Sequence, residues 1–263
     1  MHREFIDQVV EKIRQDENVI GLAVAGSFIT NEVDEFSDVD LILVTVDNVA
    51  ADVSRMFAYA KSFGNFISGF TGEHVGERRV LICLYDNPLL HVDIKFLTRD
   101  EFRERVEDPV IFFDRDSILG NIIAATKSEW PMPDYQWIED RFWTWVHYGA
   151  LKLGRGENFE ALDFLSYLRT TVISPLLQIK NGQLPRGLRK VEFNLEKQDL
   201  EKLIQTVPAY TTESIFAALD NTISLYRELR VILFPPTVKR HPFMERKVVD
   251  YLESVKKNTK RGI

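Results

Sequence analysis

Apolar residues recur at helical spacing between residues 4 and 15, at Phe5, Ile6, Val9, Val10 and Ile13, which predicts an amphipathic helix. The period then changes. Residues 19–25 form an unbroken apolar run of strand length. Gly26 and Ser27 end it and turn the chain into a short helix. Residues 38–46 predict a second strand, 50–62 a helix and 66–70 a short strand. The glycines between 69 and 76 read as a loop or hairpin. Strands follow over 79–86 and 90–97, parted by the turn residues Asn87 and Pro88. Thr98 reads as a helix cap, with Glu101 three residues later as its capping-box partner. The first half is mixed α and β around one sheet.

Pro131 and Pro133 mark a boundary, because closely spaced prolines stop regular structure and stiffen a linker. Beyond it the periodicity is helical almost throughout: 135–153, 158–179 with a kink at Pro175, 200–207, 212–234 and 241–255. The chain is therefore divided into an α+β domain over 1–130 and an all-α helical bundle over 131–263.

Composition narrows the class. Apolar residues make up 45% of the chain, enough for a sizeable core. The net charge of −7 lacks the basic footprint of a nucleic-acid binder, so nucleic acid is an unlikely partner. Cys83 is the sole cysteine, which excludes an intrachain disulfide, and no Cys/His zinc pattern occurs. No signal segment and no membrane-length apolar run is present, so a cytoplasmic enzyme is expected.

The chemistry concentrates where the first two strands meet. Asp38 and Asp40 stand two residues apart, on one strand face and about 6.6 Å from each other along the chain. Two such carboxylates repel unless a cation lies between them, and Mg²⁺ prefers hard oxygen ligands. Gly26 and Ser27, just upstream, offer backbone N–H groups to phosphate oxygens. Asp93 lies within the later strand and shares the face of Asp38 and Asp40 if the two strands are neighbours. Three such carboxylates can hold two Mg²⁺ ions, with Asp93 as metal ligand, base or both. His74, Arg78 and Arg79 read as solvated loop charges, Lys95 reads as a satisfied surface lysine, and the Trp137, Phe142, Trp143 and Trp145 cluster reads mostly as core.

Gly26, Ser27, the paired Asp38 and Asp40, and Asp93 together resemble the DNA polymerase β-like nucleotidyltransferase superfamily over residues 19–97. The helical half, through Phe142, Trp143, Tyr148, Lys152, Arg155, Glu157, Ala161 and Arg169, is similar to streptomycin-type aminoglycoside 6-adenylyltransferases over residues 140–182. That family usually carries Arg after Gly-Ser; here the position is Phe28.

The resemblance implies a polymerase β-like nucleotidyltransferase domain followed by a helical acceptor-binding domain. It implies an Mg²⁺-dependent enzyme with ATP as co-substrate, moving AMP to a hydroxyl of a small molecule such as an aminoglycoside and conferring antibiotic resistance. Gly26 and Ser27 would hold phosphates, Asp38, Asp40 and Asp93 metal, and Asp93 would activate the acceptor. Glu157, Glu160 and Asp163 recur at three-residue steps, so they predict an acidic ridge that binds acceptor amino groups, with Glu157 or Glu160 supplying a base. AMP transfer to a protein side chain, and a nucleotide-binding regulator without turnover, are the alternatives. Oligomeric state is not encoded in any of these features.

Overall fold

The helical period at the start of the chain folds as α1 (His2–Ile13), which buries Ile6, Val9, Val10 and Ile13 on one face. The structure, a computed structural model, describes residues 1–261. After α1 come β1 (Val19–Val24), buried throughout, α2 (Ser27–Thr30) and β2 (Val39–Thr45). Next is α3 (Val53–Phe63), capped by Asp52, whose side chain accepts the Ser54 N–H. Then follow β3 (Phe66–Gly72), β4 (Glu77–Tyr85), β5 (Leu90–Thr98), β6 (Val110–Asp114) and α4 (Ile118–Ala125).

The stretch read as a loop or hairpin is a hairpin: β3 runs past Phe70 to Gly72, and Gly69, Phe70 and Thr71 pair with Cys83, Ile82 and Leu81 of β4. One local expectation changes. Thr98 and Glu101 do form their box, with the Thr98 N–H 2.8 Å from Glu101 Oε2. Yet only a single 3₁₀ turn, Glu101–Arg103, follows. Phe102 is buried there while Val106 is exposed, so no apolar face sustains further turns.

The strands run β3-β4-β5-β2-β1-β6 across one sheet. β2 and β5 pair in parallel, and the other neighbours are antiparallel. One face carries the main core, where Leu22, Leu41, Leu43, Ile94 and Phe96 meet Ile6, Val9, Met56 and Phe63 of α1 and α3. On the other face α4 covers one end, where Leu119 and Ile122 meet Ala23, Val44 and Leu97. Gly21 permits that approach: a Cβ there would collide with Leu119 and lie 2.8 Å from the Phe113 carbonyl.

The chain divides after Pro131 into two compact units. The second comprises α5 (Tyr135–Gly154), α6 (Asn158–Leu168), a π-helical segment Arg169–Ile173, α7 (Ser174–Lys180), α8 (Val191–Asn194), α9 (Lys197–Ile204), α10 (Thr212–Leu233) and α11 (Pro242–Arg261). The kink expected at Pro175 takes the form of that π segment. Pro175 has no N–H to give the carbonyl four residues back, so the preceding turn widens. Phe142 stacks on Tyr226 at 3.5 Å between ring centres, and Trp143 is fully buried beside them. Trp137, by contrast, is exposed. The buried Glu139 accepts from Tyr226 Oη at 2.6 Å and from Arg230 at 3.1 Å, which ties α5 to α10. No helix among the described residues is long and apolar enough to cross a membrane.

Candidate active site

The parallel pairing of β2 with β5 sets Asp40 opposite Asp93. Adjacent strands lie about 4.8 Å apart, so the two residues are immediate neighbours on one face. Their flanking residues identify that face. Val39, Leu41, Val92 and Ile94 are all buried in the core against α1 and α3. Asp40 and Asp93 therefore project from the opposite side of the sheet. Asp38 precedes β2 by one residue and is half-buried.

Gly26 closes the other flank of Asp40. The Ala25 N–H donates to the Asp40 carbonyl at 2.9 Å. Gly26 then takes φ +61°, and a Cβ at this position would collide with Asp40 Oδ2. Both the dihedral and the close approach demand glycine. Ser27 opens α2, and its Oγ is buried without a hydrogen-bond partner. An unpartnered buried hydroxyl costs free energy unless a ligand completes it.

Residues 30–36, between Ser27 and Asp38, are exposed but organised. Asp34 Oδ1 accepts from the Phe36 N–H and from Ser37 Oγ, each at 3.0 Å. Ser37 O lies 2.7 Å from Nε2 of the buried His2. Sequence reasoning missed His2, which lies far from the motif along the chain. Phe28, in the position where Arg was the family expectation, packs edge-on against Phe112 at 5.9 Å. It anchors α2 to the core.

His91 was also missed, although its spacing of two from Asp93 was a usable signal. Its Nε2 lies 2.9 Å from Asp93 Oδ1. Arg79, expected as a solvated charge, is engaged instead, and Lys95 is the satisfied surface lysine its position suggested. Lys95 Nζ is 3.1 Å from Glu77 Oε2, and Arg79 grips Glu77 at 2.6 Å and reaches Glu101 at 3.3 Å. Arg79 first, and Lys95 after it, hold the Glu77 carboxyl down at about 2. Burial, with the nearby Asp93 charge, pushes the Cys83 thiol up to about 12, which makes it an inert core residue.

Among the described residues, no three His, Cys, Asp or Glu side chains are grouped so as to hold a metal ion together. The three carboxylates expected to cage two ions thus come as a pair in register, with Asp38 just outside the strand. Mg²⁺ does not require a closed cage. It is typically held by one or two carboxylates together with substrate phosphates and water. Hard carboxylate oxygens beside an unpartnered serine hydroxyl fit a metal–phosphate ligand of this kind.

Glu157 and Glu160 lie in the second unit. Glu157 immediately precedes α6 and Glu160 occupies its first turn. Both turn onto Lys152 of α5: its Nζ is 2.7 Å from Glu157 Oε2 and also contacts Glu160. Tyr148 Oη donates to Glu160 at 3.0 Å. Hydrogen bonds donated to Glu157 and then Glu160 raise the Lys152 pKa, and Lys152 followed by Tyr148 lowers that of Glu160. The acidic ridge carries its own cation.

Residues 6–124 match the family described as nucleotidyltransferase domain, and the first unit carries a domain of this family. Among solved structures, the chain is similar to an aminoglycoside 6-adenyltransferase from Bacillus subtilis. The two are 15% identical over 97% of this chain and 98% of that one, with a TM-score of 0.43. It is also similar to a spectinomycin adenyltransferase from Enterococcus faecialis, solved with ATP and spectinomycin. That pair is 11% identical over 97% of this chain and all of that one, with a TM-score of 0.32. No curated protein matches the sequence.

Proposed function

We propose that the chain is an Mg²⁺-dependent adenylyltransferase that moves AMP from ATP to a hydroxyl of a small-molecule acceptor and releases pyrophosphate. The observation that carries this reading is Asp40 in register with Asp93, with Gly26 packed against the Asp40 carboxylate. Asp40 and Asp93, together with substrate phosphates, would hold Mg²⁺, which when bound neutralises triphosphate charge and lowers the pKa of an acceptor hydroxyl. At Gly26 the missing side chain lets a phosphate oxygen approach the backbone. Ser27 Oγ–H donates to a β- or γ-phosphate oxygen, which fixes the leaving pyrophosphate at the end of β1. His91 engages Asp93 Oδ1 and leaves Oδ2 to take the proton from the acceptor hydroxyl. The acceptor oxygen then bonds to the α-phosphorus in line as the α–β bridging bond breaks.

Glu157 and Glu160, in the second unit, offer their carboxylates to an ammonium group in place of Lys152. An aminoglycoside offers both the hydroxyl and the ammonium groups, which makes antibiotic modification in the cytoplasm the biological role in this reading. Calorimetry tests the first half. Mg-ATP should give a binding heat that EDTA removes, and equal binding in both conditions would falsify the site. Pyrophosphate release across a panel of hydroxyl-bearing acceptors, with streptomycin among them, tests the second half.

A further inference from the structure

The strand registers arrange the site as a row across the sheet. From Ala25, just before Gly26, the row passes through Asp40, Asp93 and Ile82 to Phe70, each opposite or bonded to the next on the neighbouring strand. Residues opposite one another share a face, so Ile82 and Phe70 stand on the same side as the two carboxylates. Their exposure is unusual for that position. Phe70 is 54% exposed. Ile82 is half-buried, as are Val80 and Leu84, one alternation step to either side of it on β4. Leu81, Cys83 and Tyr85, on the opposite face, are buried. A solvated face of an antiparallel sheet is ordinarily polar, whereas β4 is apolar on both. His91, opposite Leu84, rims this apolar strip on one side, and Lys95, opposite Val80, rims it on the other.

The chemistry proposed for the site says what covers the strip. In-line displacement places the entering oxygen opposite the leaving group. With pyrophosphate at Gly26 and Ser27, beyond Asp40, the acceptor enters from the side of Asp93 that faces away from β1. That side is the strip, which reaches about 10 Å from Asp93 to Phe70, two strand spacings. We infer that Phe70 and Ile82 form the acceptor shelf, and that the acceptor presents the apolar face of a ring to Phe70 while its hydroxyl reaches Asp93. This inference rests on the adenylyltransferase reading and adds to it a second acceptor contact: a further ring, beyond the one that carries the reacting hydroxyl, that packs on Phe70.

Methyl NMR on the full chain, carbon-13 labelled at the isoleucine δ1 methyls, tests the shelf in the presence of Mg²⁺ and a non-hydrolysable ATP analogue. Phenyl β-glucopyranoside should shift the Ile82 resonance and bind about 2- to 10-fold more tightly than methyl β-glucopyranoside, the worth of one ring contact. Phe70→Thr, which keeps a strand-forming residue, should abolish that difference, and Phe70→Tyr should keep it. Both variants should retain the melting temperature and the affinity for the ATP analogue. The shelf is overturned if Ile82 ignores the phenyl glucoside, if the two glucosides bind alike, or if Phe70→Thr weakens the nucleotide instead, which would assign the ring to adenine. Failure of the wild-type chain to bind the ATP analogue would remove the adenylyltransferase reading itself, and the shelf with it.

Discussion

His2, at the start of α1, holds the carbonyl of Ser37 at 2.7 Å, across 35 residues of chain and directly before Asp38. The contact links the first helix to the turn that delivers the first aspartate. His2→Leu should keep the buried volume but free that turn. One lost hydrogen bond is worth about 1 kcal/mol, so Mg-ATP affinity should fall about fivefold. Calorimetry reads the change, and an unchanged affinity would show that the turn holds without His2.

Gly26→Ala should do more harm than its single methyl suggests. The new Cβ meets Asp40 Oδ2, in a backbone conformation that alanine resists. We expect a stability loss of about 1–3 kcal/mol from strain, with nucleotide affinity reduced at least tenfold. A variant that melts as wild type and still binds Mg-ATP normally would contradict the close packing.

Asp93→Asn and Asp40→Asn should separate the two halves of the reaction. Loss of a general base costs about 100-fold or more in turnover. Asp93→Asn should show that loss while Mg-ATP still binds, whereas Asp40→Asn should impair both. If Asp93→Asn abolished binding and spared turnover, the roles assigned to the pair would be reversed.

Glu77 gives the first unit a pH signature. Its carboxyl is held at about 2, below the ordinary 4.5, by Arg79 and then Lys95. A carboxyl depressed by folding stabilises the fold above its ordinary pKa and loses that contribution as pH falls toward the folded value. The contribution is therefore complete above about pH 4.5 and gone near pH 2. With allowance for exposure, Glu77→Gln should cost about 1–2 kcal/mol at neutral pH. Denaturant titrations along the acid limb should show the variant and wild type converging; a constant gap would rule out the ion pairs as its source.

Lys152→Met should expose what the helical unit's carboxylates do. If Glu157 and Glu160 accept an ammonium group from the acceptor, removal of Lys152 vacates their partner, so KM for a cationic acceptor such as streptomycin should fall. Glu157→Gln with Glu160→Gln should raise it, and ATP affinity should stay unchanged in both variants. A lower melting temperature with unaltered kinetics would make the cluster purely structural.

Gly26, Ser27, Asp38 and Asp40 were legible as candidates because their chemistry is local: a turn, then two acids at strand spacing. Asp93 was legible as a candidate, but its placement beside Asp40 is a matter of register between distant strands. His2 and the engaged state of Arg79 were not legible, since each depends on a partner supplied by tertiary folding. β6 and α4 escaped for a related reason. β6 is a short edge strand stabilised by pairing with β1, and α4 begins after two residues, Asp116 and Ser117, in left-handed conformations that no helical period announces.

The parallel pairing of β2 with β5 also sets when the site can exist. Antiparallel neighbours can form from a local hairpin, but parallel neighbours need a crossover, here running through α3, β3 and β4. During synthesis, the segment bearing Asp40 emerges well before the one bearing Asp93. Loop-closure entropy must be overcome before their strands can meet, so the pair forms among the later contacts of this sheet. A nascent chain that ends within β4 carries Gly26, Ser27, Asp38 and Asp40 without the carboxylate that completes them, and it gains its full acidic centre only when β5 docks.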